Sequence, residues 1–223
     1  ITSTRDEVPD QYKANAAFLK RCPDLLLVST SGAGYDPVDV AACTAAGVLV
    51  VNQTGSNAEA VAEHAVGMLL ALTKKMFETD RSLRSENRVH RENFKGWDAK
   101  GKTIGLIGLG NTGRRVARIC GLGLEMKVIA YDPYLADADF RERRAERREL
   151  DALLKEADYV SVHCPYNAET KDMIDDRELG LMKPGAFLIN CARGGITNED
   201  ALARALAKKQ IAGAVDQEGA GLH

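Results

Sequence analysis

The sequence predicts an α/β protein with doubly wound parallel sheets, and three observations carry that expectation. Short apolar runs of strand length alternate with helical stretches, the alternation lasts from Leu25 to Asp216, and a glycine-rich turn joins one of the strands to the helix after it. With 223 residues, 45% of them hydrophobic, the chain can bury the core of one large or two small domains. Thirty basic residues against 32 acidic ones give a net charge of −2, so no general nucleic-acid or membrane-surface binding is expected.

"LLLVS" from Leu25 reads as a buried strand, "DPVDVAACTAAG" as a short helix with Pro37 near its first turn, and "VLVVN" as the next strand. Asn57 to Arg84 reads as one long helix, N-capped by Asn57 and free of proline. The polar, glycine-containing stretch "SENRVHRENFKGWDAKGK" places a domain boundary and hinge near 96–101, giving domains 1–98 and 99–223. Beyond it, "KTIGLIG", "KVIAYD", "DYVSVHC", "AFLIN" and "IAGAVD" read as five strands separated by helices. The run "RERRAERRE", Arg141 to Glu149, reads as a solvated face. The most apolar segment, Ala65 to Leu72, is too short to span a bilayer. Five cysteines without metal-ligand spacing suit reduced thiols, and with no targeting signal in view a cytoplasmic, metal-free protein is expected.

Gly108, Gly110 and Gly113 in "GLGNTG" have the G-x-G-x-x-G spacing of a dinucleotide-binding turn. The first glycine makes the turn, the second lets a pyrophosphate approach the backbone, and the third lets helix and strand pack closely. Such glycines also serve plain strand-to-helix turns, so the context decides: Asp132 ends the next strand 19 residues after Gly113. A carboxylate there accepts both ribose hydroxyls and repels a 2′-phosphate, which selects NAD over NADP. Arg141 or Arg143, folded back beside Asp132, would instead welcome that phosphate.

Five stretches in order, "SGAGYDPVD", the glycine loop, "YDP", "SVHCPYNAET" and "NCARGGITNEDAL", resemble the NAD-dependent D-2-hydroxyacid dehydrogenases. Phosphoglycerate dehydrogenases and glyoxylate/hydroxypyruvate reductases belong to that family. The resemblance implies two Rossmann-like or flavodoxin-like lobes with a deep interdomain cleft, NAD as cofactor, a small 2-hydroxy or 2-keto acid as substrate, and a homodimer. It makes Arg193 the catalytic arginine, whose planar fork meets carboxylate and carbonyl oxygens together. It assigns backbone N–H groups of Gly32, Ala33 and Gly34 to the substrate carboxylate, Asn111, Thr112, Cys164, Pro165 and Thr170 to the ribose and phosphates, and Cys191, Ala192 and Asp216 to the nicotinamide end. Asp216, at a strand's end, also suits the carboxamide N–H₂ as an acceptor.

The family's acid is a Glu–His pair, the glutamate usually in an "E-P" context. Here Asp216 is followed by "QEGAGLH"; Glu218 stands too close to the aspartate and His223 too early. Glu218 and His223 would form only a makeshift pair, without rigid support from the intervening "GAG", and the chain is expected to be incomplete at both ends. His64, His90 and His163 match no family acid. No Lys or Arg adjoins "SGAGYD", which favours a small unphosphorylated acid. The alternative function is a non-catalytic, corepressor-like NAD(H) sensor.

Overall fold

The run "LLLVS" yields three strand residues, β1 (Leu27–Ser29), which pair in parallel with β2 (Leu49–Val51). The computed structural model describes residues 8–85 and 90–216. Contacts divide the chain into two units, Ile1–Glu59 and Ala60–His223. In the first, helices α1 (Ala16–Arg21) and α2 (Val40–Ala45) begin where Asn15 and Asp39 side chains accept from the Phe18 and Ala42 amides, at 3.0 and 2.9 Å. Those bonds satisfy amides that a helix start leaves without a partner. Leu19, Val28, Val38, Cys43 and Val48 form the small core.

The second unit holds a six-stranded parallel sheet in the order β5-β4-β3-β6-β7-β8. Its strands are β3 (Thr103–Ile107), β4 (Lys127–Tyr131), β5 (Glu146–Arg147), β6 (Tyr159–Val162), β7 (Phe187–Asn190) and β8 (Gly213–Asp216). Side chains alternate between two covered faces, as a parallel sheet requires. Ile104, Leu106, Val128 and Ala130 pack with Ala62, Leu69, Val116 and Ala117 on one side. On the other, Ile107, Ile129, Val160 and Leu188 meet Leu153, Leu154, Leu179 and Leu202. Leu153 is fully buried and lies where a β-carbon on Gly105 would clash, at 2.5 Å. Truncating it to alanine should cost about 2–5 kcal/mol. From β3 the chain steps out to β4 and β5 and then returns to β6. The connections therefore reverse direction between β3 and β6, and a crevice opens outside the carboxyl ends of those strands.

Three expectations change. The long helix is two, α3 (Ala58–Thr73) and α4 (Met76–Ser85), parted where Lys75 adopts φ +54°. Neither Gly nor Pro makes that break. Instead the Trp97 amide donates to the Thr73 carbonyl at 3.0 Å, and Gly96 comes so near that a β-carbon would lie 2.3 Å from that oxygen. Second, α3 contributes Ala62, Ala65, Val66 and Leu69 to the core of the six-stranded sheet, so contacts divide the chain at Glu59/Ala60 rather than at 98/99. Third, the arginine-rich run is not one solvated face. After α6 (Asp137–Glu142) and Arg144 at φ +60°, Glu146 and Arg147 add a sixth strand opposite Ile129 and Ala130. Its charges are paired there, Arg147 with Asp137 and Arg148 with Glu146 and Glu156, each at 2.8 Å.

Candidate active site

Three elements meet at the glycine loop. Gly108 follows β3 at φ +91°, a conformation that disfavours any side chain, and a β-carbon on it would lie 2.9 Å from the Cys164 nitrogen and the His163 carbonyl. A β-carbon on Gly113 would lie 2.2 Å from the Gly108 oxygen, which fixes helix α5 (Gly113–Arg118) tightly under the turn. Gly110, by contrast, faces open space for 4 Å around a β-carbon. Bare backbone is thus presented where a pyrophosphate would sit. Thr112 immediately precedes α5, and the Asn111 side chain and carbonyl accept from Arg114 and Arg115 at 3.1 and 2.6 Å.

Asp132, just past β4, accepts from the Leu109 amide at 3.0 Å with one oxygen and from the Tyr134 amide at 3.1 Å with the other. Of the two arginines considered, Arg143 reaches the loop: its guanidinium donates to the Leu109 carbonyl at 2.8 Å. Arg141 lines an open groove beside β5 instead. Gly108, Gly110, Asp132, Cys164, Pro165 and Thr170 together line a cavity of about 180 Å³. Its far wall is rigid, since the Thr170 hydroxyl donates to the Pro165 carbonyl at 2.7 Å and accepts from the Asn167 amide at 2.8 Å. His163, also in the lining, shares a 2.9 Å hydrogen bond with Ser161. Burial pushes the imidazole down to about 4, so it is neutral at pH 7. Burial likewise lifts the Cys164 and Cys191 thiols to about 11, leaving both protonated.

A second cluster lies at the carboxyl ends of β7 and β8. Asn190, 1% exposed, donates from its amide nitrogen to the Arg193 carbonyl and to the Asp216 carboxylate, both at 2.9 Å, while its oxygen accepts from the Ala192 amide at 3.1 Å. One side chain therefore fixes the backbone of "CAR" and the last residue of β8 relative to each other. The half-buried Arg193 guanidinium donates to the Ala192 carbonyl at 2.8 Å.

In the first unit the carbonyl of Gly32 accepts from Gln53 N–H and the Thr30 hydroxyl, and that of Ala33 from the Asn52 amide. With the carbonyls so held, the N–H groups of Gly32, Ala33 and Gly34 donate to no protein group among the described residues. Glu218 and His223 lie outside the described residues. His64 and His90 are exposed. Sequence reasoning missed Asn190, Tyr134 and Glu169. Only Asn190 left a signal: a polar residue closing the apolar run "AFLIN" must find partners when buried.

The family model for the D-isomer specific 2-hydroxyacid dehydrogenase NAD-binding domain matches residues 66–216. This chain belongs to that family. D-3-phosphoglycerate dehydrogenase of Mycobacterium leprae is 45% identical over 193 residues, 86% of this chain and 36% of that enzyme. Glyoxylate reductase of Thermococcus litoralis is 36% identical over 208 residues, covering 91% of this chain and 62% of the relative. The family member thus spans little more than a third of the phosphoglycerate dehydrogenases it matches. Among solved structures, the holo D-mandelate dehydrogenase of Rhodotorula graminis superposes with a TM-score of 0.85 at 32% identity, covering 92% of this chain and 62% of that one. D-lactate dehydrogenase of Aquifex aeolicus, complexed with NAD and lactic acid, gives 0.83 at 34% identity, covering 95% and 68%. Family membership makes NAD the cofactor, and the open Gly110 face with the Asp132 carboxylate beyond it fits that molecule. Among the described residues no helix is long and apolar enough to cross a membrane.

Proposed function

We propose that the whole protein interconverts a D-2-hydroxy acid and its 2-keto acid, with NAD bound along the glycine loop. The single observation that carries this reading is the Asn190 brace, which holds the Arg193 loop and Asp216 together at the carboxyl ends of the strands, the side of the sheet where α/β ligands bind. NAD supplies the hydride acceptor, or in its reduced form the donor. Asp216 accepts from the carboxamide and sets which face of the ring is presented. Arg193 holds the substrate carboxylate and polarises the carbonyl, countering the charge that grows on its oxygen as the hydride arrives. The amides of residues 32–34, which donate to no protein group among the described residues, form an anion nest suited to a substrate carboxylate. A Glu–His pair of the family type gives the proton to the carbonyl oxygen.

The 45%-identical relatives are named D-3-phosphoglycerate dehydrogenases, so 3-phosphoglycerate and phosphohydroxypyruvate head the substrate panel. The lack of a cation beside residues 31–36 keeps glyoxylate, hydroxypyruvate and glycerate on it. Steady-state turnover of each with NAD(H) in the full-length protein should reveal one or more substrates. An NADH-binding protein that turns over none of them would overturn the reading. Met76, Phe77 and Leu83, all exposed on α4, support a homodimer paired through this helix; light scattering should give twice the chain mass. Five unpaired cysteines fit a reducing, cytoplasmic location.

A further inference from the structure

Two side chains from different loops meet at the rim of the cavity beside Asp132. Tyr134, after β4, donates its hydroxyl to Oε2 of Glu169, after β6, at 2.5 Å, and both residues line the cavity. Each end is anchored through its backbone to a group that shapes the same site. The Tyr134 amide donates to Asp132 at 3.1 Å, and the Glu169 amide to the Asn167 side chain at 2.8 Å, in the turn that Thr170 ties to Pro165. The Tyr134 ring is 76% exposed, so this bond, rather than packing, holds it over the opening. The carboxylate beside it raises the phenol's pKa and keeps it a donor. Glu169 uses only Oε2 here; Oε1 accepts no hydrogen bond among the described residues.

Ile107, Pro133, Pro165 and Met173 give the cavity an apolar lining suited to a purine face. The polar edge of such a base must then be read at the rim, where a carboxylate accepts and cannot donate. We propose that Tyr134 and Glu169 form a clasp over the base of the dinucleotide, with Glu169 accepting from the 6-amino group and so selecting adenine over a 6-oxopurine. This rests on the reading that the cavity takes the adenosine half of NAD.

The test compares binding of NADH and of reduced nicotinamide hypoxanthine dinucleotide to the full-length protein by fluorescence titration. The wild type should favour NADH by about tenfold, as expected for one charge-assisted hydrogen bond. Glu169→Gln should bring the two within about twofold, because a carboxamide can donate to a 6-oxo group as well as accept from a 6-amino group. Tyr134→Phe should weaken NADH and shrink the preference by releasing Glu169. Both side chains are exposed, so the variants should keep the wild-type melting temperature. A wild-type ratio near one, or a ratio that Glu169→Gln leaves unchanged, overturns the clasp. Asp132→Ala tells which reading failed. If it weakens both ligands while Glu169→Gln changes nothing, only the clasp is wrong; if it weakens neither, the adenosine half binds elsewhere and the clasp falls with the cavity.

Discussion

Replacing Asn190 with aspartate changes one nitrogen to oxygen and should do as much damage as a core truncation. The Asn190 nitrogen lies 2.9 Å from both the Arg193 carbonyl oxygen and the Asp216 carboxylate, and the residue is 1% exposed. An aspartate oxygen there would face two acceptors and bring a second negative charge against Asp216. The variant loses a bond to a charged group, about 1.5–3 kcal/mol, and one to a carbonyl, about 0.5–1.5 kcal/mol, before any repulsion. A total of about 2–4.5 kcal/mol follows before the repulsion is added, a large part of a typical domain's stability of about 5–15 kcal/mol. Urea denaturation of wild type and Asn190→Asp at pH 7 measures it. Acid should narrow the gap, because the crowded pair in the variant holds a proton that its unfolded chain does not, and a group with a raised folded-state pKa stabilises on the acid side. On the functional side kcat/KM should fall at least as steeply as stability, since the Arg193 loop is no longer fixed. A variant within about 1 kcal/mol of wild type, with unchanged kcat/KM, would refute the brace.

Asp132→Asn should raise kcat/KM for NADP by about tenfold or more, because it removes the repelling charge while Arg143 already stands on the Leu109 carbonyl; adding Arg143→Met should abolish the gain, as paired NAD and NADP kinetics will report. Glu156 is held to about 2 by its bonds to Arg148 and then Lys127. That pKa is depressed, so its contribution is complete above the ordinary 4.5 and disappears as pH falls through about 2. With the side chain one-third exposed, solvent screening leaves about 1 kcal/mol, which should separate Glu156→Gln from wild type at pH 6 and vanish in denaturation curves near pH 2. Thr197→Val should stabilise by about 1 kcal/mol, read as a higher Tm, because the Thr197 hydroxyl is buried without a hydrogen-bond partner among the described residues.

Five strands of the second unit were legible because each is mostly apolar, as in "AFLIN", which a sheet covered on both faces demands. Gly108, Gly113 and Asp132 were legible for the same local reason: turn, close approach and strand end follow one another along the chain. β5 was not, since two charged residues at a sheet edge carry no apolar period and are placed by pairing with Ile129 and Ala130. The break after Thr73 was equally silent, because the residues that make it, Gly96 and Trp97, lie more than twenty positions away. Arg143 could be named only together with Arg141, and folding alone decides that Arg143 is the one brought onto the glycine loop. Tyr134 and Glu169 are 35 residues apart and meet only because β4 and β6 flank β3.

On the proposed function, Arg193 acts on the substrate of a D-specific, NAD-dependent oxidoreductase. The most direct test of that role is kcat/KM of the full-length protein for the D and L enantiomers of the best 2-hydroxy acid, in wild type, Arg193→Ala and Arg193→Lys. The account predicts turnover of the D enantiomer alone, a loss of about a hundredfold or more in the alanine variant, and incomplete rescue by lysine, whose single ammonium lacks the planar fork. NADH affinity should change far less than turnover. Equal use of both enantiomers, or an alanine variant with near-normal kcat/KM, would contradict it.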